Sequence, residues 1–464
     1  MSSTERDPAS TARQSVENAG AVGLFARTQI SVAALGLLGA LTGVLVLAAG
    51  LSVHPANAGG KARHWVAAWA ASPSDASTVT PTLSNETVRM MIQPTYGGAR
   101  LRVRLSNRFG SSPVSLARVT IAKQASGAAV VAETLRPVTF DGDGEVQLQQ
   151  GSDVVSDPVN LRFAAFDDLA VSVYVPDPVQ QPTEHFITRQ TNNFRSGPGT
   201  GDQTSDTEGT LLRIPTKTAF SNGWFFLSEL DVLAPEQAGA VVAFGDSITD
   251  GYQGFQIDLV ENQADMNQNA RWPDFLAQRL AAAGRCDLSV VNAGISGNAV
   301  LAARCPLPFG ESALDRLDAD ALTVPGATDL ILLEGINDLG SNGATAKQVI
   351  KGLGRLVQRA RAAGLRVHLA TLTPSGGALD GSYGTEATNA KREKINAWIR
   401  TQDDADSVID FDAAIRDPRE PSRMKAEYDS SDHLHPSSSG YRAMAEAIDL
   451  SAIGSSLPGR AVAC

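Results

Sequence analysis

From Val241 onward, short apolar runs alternate with segments of helical periodicity, and that alternation constrains the fold more than any other property of the chain. The apolar runs start at Val241, Ser289, Leu330, Val367 and Val408, and each is four or five residues long. Helical periodicity covers Trp272–Ala283, Ala346–Ala363, Asn389–Arg400 and Ser438–Ala447. Strands without polar alternation are buried on both faces, and crossover helices supply the cover, so this region predicts a parallel sheet in an α/β fold. Ligands and chemistry gather beyond the carboxyl ends of such strands.

Residues 64–234 follow another rhythm. Leu101, Val103 and Leu105 alternate with Arg102 and Arg104, the period of a half-buried strand. The run from Val88 to Pro94 precedes it, and Gly97-Gly98 between them predicts a hairpin. Further strands are expected within 114–122, 145–149, 160–163, 170–175, 185–189 and 224–233, separated by turn clusters such as 140–144. Short strands punctuated by Gly, Asp and Pro suggest an antiparallel β-sandwich. The Gly-, Ser-, Thr- and Asp-rich stretch 196–209 reads as a mobile loop. Met90, Met91, Tyr96, Trp65 and Trp69 read as sandwich core in preference to a sugar platform. The resulting division is 1–58, a β-rich region 59–236 and an α/β region 237–464.

Composition bounds the partners and the compartment. The net charge is −11, and residues 1–58 balance three basic against three acidic side chains, so the acidity belongs to the remainder. An acidic surface argues against nucleic acid as a partner. The stretch Ile30 to Leu51 is almost unbroken apolar sequence, followed by Ala56-Asn57-Ala58. Small residues at 56 and 58 fit a signal-peptidase site, whereas about 22 apolar residues are also enough to span a bilayer. Cleaved export and an uncleaved anchor both place the rest outside the cytoplasm, as a secreted, periplasmic or cell-surface protein, and only the anchor would involve a membrane. Of the three cysteines, Cys286 and Cys305 bracket the Gly297 turn; a disulfide between them is expected, with two free thiols as the alternative. Cys464 has no evident partner, and no spacing resembles a metal site.

The chemistry concentrates on four turns. Gly245-Asp246-Ser247-Ile248-Thr249-Asp250-Gly251 puts a serine on a sharp turn after a strand. Alone it reads more readily as a helix cap or a phosphate-binding turn, and it lacks both the phosphate-loop ending and the G-x-S-x-G elbow. Asp432-His433-Leu434-His435-Pro436 supplies a carboxylate and an imidazole three positions apart. A histidine base needs a carboxylate on its other ring nitrogen, and one tight loop can deliver both. His433 is the competing base. His54, His64, His185 and His368 have no comparable partner in the sequence. Asn337, after the apolar run ending at Glu334, carries an amide able to donate to a developing oxyanion; the N–H groups of Gly297 and Ser247 are further donors. Asp246 and Asp338 read as turn-fixing carboxylates that accept from backbone N–H groups.

Together these turns resemble the SGNH (GDSL-type) hydrolases: Ser247 in FGDSITDG, Gly297 in NAGISGN, Asn337 in EGIND and Asp432/His435 in DHLHP, over residues 239–460. The resemblance implies a three-layer, flavodoxin-like α/β/α domain and two-step ester hydrolysis with no metal or cofactor. It assigns Ser247, His435 and Asp432 to catalysis, and Ser247, Gly297 and Asn337 to the oxyanion hole. Residues 64–234, beginning HWVAAWAASP, are similar to the amino-terminal half of secreted two-domain lipase- or arylesterase-like members. The expected activity is an exported serine esterase acting on short-acyl, aryl or carbohydrate esters, its partner a small-molecule or polysaccharide ester. The alternatives are a carbohydrate-binding or adhesion protein with a vestigial hydrolase domain, and an acyltransferase.

Overall fold

In the α/β region, five parallel strands form one sheet: Gly239–Gly245, Leu288–Gly294, Ala327–Leu333, Arg366–Ala370 and Ser407–Ile409. Numbered along the chain, their order across the sheet is 2-1-3-4-5, the doubly wound order of flavodoxin-like sheets. The computed structural model describes residues 62–77, 80–188, 193–214, 223–254, 267–303 and 310–454, all within a single compact unit, Gly60–Cys464. The first strand is buried at every position, as a central strand covered on both faces must be. Helix Trp272–Ala282 packs on helix Ser438–Glu446, and helix Ala346–Ala362 on helix Glu386–Thr401. Helix Ala346–Ala362 begins with a capping box in which Thr345 and Gln348 satisfy each other's backbone N–H.

The β-rich region holds two larger antiparallel sheets. One runs Arg63–Ala70, Leu227–Pro235, Gly98–Ser106, Val159–Phe163, with Asp153–Val155 also on Gly98–Ser106. The other runs Asn193–Arg195, Glu86–Ile92, Leu169–Val175, Arg118–Ser126, Ala129–Val130, with Arg136–Val138 also on Arg118–Ser126. A single apolar cluster draws on both, including Val88, Met90, Leu101, Val103, Val171 and Val232.

The hairpin expected across Gly97-Gly98 does not form, because its two strands belong to different sheets. Glu86–Ile92 is buried throughout and pairs on both edges, with Leu169–Val175 and with Asn193–Arg195. No edge is left for the following strand, so the chain crosses to the other sheet. The expected strand within 114–122 is two, Val114–Leu116 and Arg118–Ser126, on different partners. Residues 196–209 are tied down: buried Arg89 donates to Asp206 O at 2.7 Å, and Thr120 Oγ1 donates to Thr204 O at 3.0 Å. Met90, Met91, Tyr96 and Trp69 are buried, while Trp65 is partly exposed beneath the Arg102 guanidinium.

Strand Arg63–Ala70, with no polar alternation to announce it, links the two regions. Ala67 N donates to Pro325 O at 2.8 Å, Ser289 Oγ to Ala67 O at 2.5 Å, and Val290 N to Thr95 Oγ1 at 2.9 Å. Among the described residues no helix is long and apolar enough to cross a membrane; the 30–51 stretch lies outside them. Cys286 is disulfide-bonded. Cys305 and Cys464 lie outside the described residues, so the proposed Cys286–Cys305 pairing does too.

Candidate active site

Strand order places three of the four turns side by side. The Ser247 turn leaves the central strand, and the Gly297 and Asn337 turns leave the strands on either side of it. Asp246 caps the short helix Ser247–Asp250, its carboxylate accepting from Ile248 N at 2.9 Å. Gly251 ends that helix with φ of 96°, a left-handed conformation suited to glycine. Gly294 has to be glycine for a different reason. A Cβ there would lie 2.3 Å from Asp250 N, so any side chain would push the Ser247 turn away from the neighbouring strand.

Ser247 Oγ lies 2.8 Å from His435 Nε2, and His435 Nδ1 lies 2.6 Å from Asp432 Oδ2. The other Asp432 oxygen accepts from Leu434 N, His435 N and Ser430 Oγ at 2.9, 2.8 and 3.1 Å. Burial acts to raise the Asp432 pKa, but the His435 imidazole and these N–H donors outweigh it and hold the carboxyl well below the usual carboxylate range. Because the ionised carboxylate only accepts, Nδ1 carries the proton and Nε2 faces the serine as an acceptor. Tyr252 packs edge-on against the imidazole at 4.7 Å and fixes its plane.

His433 turns elsewhere. Its Nδ1 pairs with Asp429 Oδ2, and its backbone has φ of 63°. Two of the other histidines do have carboxylate partners, contrary to the sequence reading. His185 Nε2 lies 3.1 Å from Asp250 Oδ1, and His368 Nε2 lies 2.9 Å from Asp329 Oδ1. Both partners are distant in sequence, so spacing could not reveal them.

Asn337 is buried, and its amide orientation is determined by its neighbours. Tyr383 OH donates to Oδ1 at 2.7 Å, while Nδ2 donates to Asn298 O at 2.7 Å. An amide nitrogen carries two hydrogens, so this contact uses one donor of the pair. Gly297 has φ of 82°, which turns the backbone in a way residues with a Cβ rarely adopt. Asp338, next to Asn337, accepts from Val300 N at 2.8 Å and Leu301 N at 3.0 Å, and so ties the Asn337 and Gly297 turns together.

Tyr383 and Arg316 escaped the sequence reading. Arg316 sits in the short helix Ala313–Leu317 with 1% of its side chain exposed. It donates to Gly245 O at 2.9 Å, Ala293 O at 2.8 Å and Asn298 Oδ1 at 2.9 Å, and pairs with Asp320 at 3.1 Å and Glu334 at 3.3 Å. One guanidinium thus joins the carboxyl ends of the first two strands, the residue after the third and the Gly297 turn. The only sequence signal was a charged residue within an apolar helical face.

Three carboxyls lie buried beneath the turns. Burial raises Asp246 to about 7 and Asp338 to about 6. Burial and the neighbouring Asp246 push Glu334 well above its ordinary value. Removing Arg316 leaves the buried Glu334 carboxyl without that cation, while Asp320 keeps Arg108 at 2.8 Å. Arg316→Met should therefore cost about 3–5 kcal/mol in urea unfolding, the loss typical of one partner of a buried pair.

Asp338 makes a pH prediction. An unfolded aspartate titrates near 3.9, so between about 3.9 and about 6 the native state holds a proton that the unfolded chain has released. Its stability contribution is complete below that window and is lost as pH rises through it. Calorimetric melting from pH 4 to 7 should show a shallower decline for Asp338→Asn than for the unaltered chain.

Among the described residues no group of three or more His, Cys, Asp or Glu stands where it could hold a metal ion. Ser247, His435 and Asp432 form a continuous hydrogen-bonded chain beyond the sheet, able to remove a proton from the serine hydroxyl.

No curated protein matches the chain. Solved structures similar to it include a carbohydrate acetylesterase family member from Sinorhizobium meliloti, at 18% identity over 45% of this chain and 94% of that one, with a TM-score of 0.35. The inhibitor-bound aryl esterase of M. smegmatis is 17% identical over 45% and 95%, with a TM-score of 0.34. A GDSL-like lipase from Bacteroides thetaiotaomicron is 16% identical over 47% and 88%, with a TM-score of 0.33. The model of the GDSL-like lipase/acylhydrolase family matches residues 243–443, which span all four turns. Residues 243–443 thus form a GDSL-like lipase/acylhydrolase domain.

Proposed function

We propose that the chain is an exported serine esterase that hydrolyses carboxylic esters through an acyl-enzyme. The observation that carries this reading is the unbroken chain from Ser247 through His435 to Asp432, at 2.8 and 2.6 Å. Ser247 Oγ attacks the ester carbonyl carbon while His435 Nε2 takes its proton, and Asp432 stabilises the resulting imidazolium. The carbonyl oxygen becomes an oxyanion, met by the N–H groups of Ser247 and Gly297 and by the Asn337 amide. Collapse expels the alcohol, which takes the proton from His435. Water, deprotonated by the same histidine, then releases the acid and restores the serine.

Export is inferred from the apolar stretch 30–51 and the small residues at 56 and 58. The substrates proposed are short-acyl, aryl or carbohydrate esters. p-Nitrophenyl esters of increasing acyl length, assayed beside acetylated xylan, test this range, and turnover of none of them counts against it. An acyltransferase would instead show product partitioning to an added alcohol.

Asn337→Ala should lower kcat by about 10²-fold with KM little changed, the cost typical of losing one oxyanion donor. Tyr383→Phe, which removes the hydroxyl that orients the amide, should lower kcat by a smaller factor in the same direction. A rise in KM at constant kcat would instead make Asn337 a ground-state binding residue.

A further inference from the structure

A second buried imidazole–carboxylate pair lies under the site and joins it to the β-rich region. His185 belongs to the short ladder between Glu184–His185 and Trp224–Phe225. Its Nδ1 lies 2.8 Å from Ser72 O and its Nε2 3.1 Å from Asp250 Oδ1. Asp250 Oδ2 accepts from Ser296 N at 3.0 Å and Ser296 Oγ at 2.5 Å. A carbonyl only accepts, so Nδ1 donates to Ser72 O, and a second proton on Nε2, toward Asp250, would make the ring an imidazolium. Burial opposes that charge and Asp250 favours it, with a net rise in the His185 pKa.

The position of this pair matters more than its strength. Burying two charges costs several kcal/mol per ion, so such a pair is a poor source of stability. It does impose direction. Asp250 lies in the same helical turn as Ser247, and Ser296 immediately precedes Gly297. Trp224 packs beside the imidazole at 5.5 Å, and Trp69 meets Trp224 edge-on at 5.0 Å, so the ring has little room to move.

We propose that His185 is a positioning residue for ester hydrolysis. It clamps Asp250, Asp250 fixes the Ser296 backbone, and the N–H of Gly297 is thereby held in place to meet the oxyanion. This inference rests on the serine-esterase reading, and it makes the β-rich region part of the support of the active site.

The test uses the full chain. His185→Gln keeps a donor toward Asp250 but loses the charge and the second donor. It should lower kcat for a p-nitrophenyl ester by about 10–100-fold, up to the cost of one oxyanion donor, with KM within about twofold. Ser296→Ala, at the far end of the relay, should lower kcat about 3–10-fold, less than a full donor is worth. His368→Gln is the control: it breaks a buried His–Asp pair of the same kind away from the turns, and should lower the melting temperature while kcat per folded molecule holds. If His185→Gln behaves like His368→Gln, or raises KM alone, the inference is overturned. Should His185→Gln fail to fold, an unchanged kcat in Ser296→Ala overturns it and a reduced one upholds it. Retention of more than a few per cent of the activity in Ser247→Ala would remove the esterase reading itself. An inactive Ser247→Ala beside a fully active His185→Gln removes only the inference.

Discussion

Ser247→Ala is expected to lower kcat/KM for ester hydrolysis by at least about 10³-fold, as loss of the nucleophile does in serine hydrolases. The fold should survive the change. Ser247 is 6% exposed, and the substitution removes one hydroxyl and no core volume. Its bond to His435 is a single side-chain hydrogen bond, worth about 1 kcal/mol net. Steady-state hydrolysis and thermal melting, measured on the same preparation, check both halves of the expectation. Retention of more than a few per cent of the activity would sink the serine mechanism.

His435→Ala should be as damaging, and combining it with Ser247→Ala should add almost nothing, because nucleophile and base act as one unit. His433→Ala should leave most of the rate. The two histidines are separated by one residue, yet they face different groups. His435 bridges Ser247 and Asp432, while His433 is turned by its positive φ toward Asp429, with 37% of its side chain exposed. Asp432→Asn should fall between them, since it keeps the loop but loses the charge that stabilises the imidazolium. If the His433 variant proves inactive and the His435 variant active, His433 is the base and the mechanism must be redrawn.

Legibility in the sequence followed the range of the forces involved. Helix Ala346–Ala362 was readable to within a residue, because its period, its Thr345 cap and the turn after it are local. The parallel strands were readable because each apolar run is bounded by a turn and is too short for a buried helix. The hairpin at Gly97-Gly98 was misread because strand pairing depends on which edges are occupied. Only the sheets reveal that Glu86–Ile92 is already paired on both sides. His185 and His368 were passed over for the same reason: each carboxylate partner comes from a distant strand or turn.

Local sequence was sufficient for the α/β alternation, the glycine turns beyond the strands, the placing of Ser247, Gly297 and Asn337 on such turns, and the placing of Asp432 and His435 on one tight loop. These depend on residues a few positions apart, whose backbone preferences act before any long-range contact exists. Long-range packing was needed to select which histidine meets Ser247, 188 positions away, which hydroxyl orients Asn337 from 46 positions away, and how Arg316 joins the strand ends. It also brings His185 to Asp250 across 65 positions. Such pairings depend on how sheets and helices are stacked in space, a relation that no local period in the chain encodes.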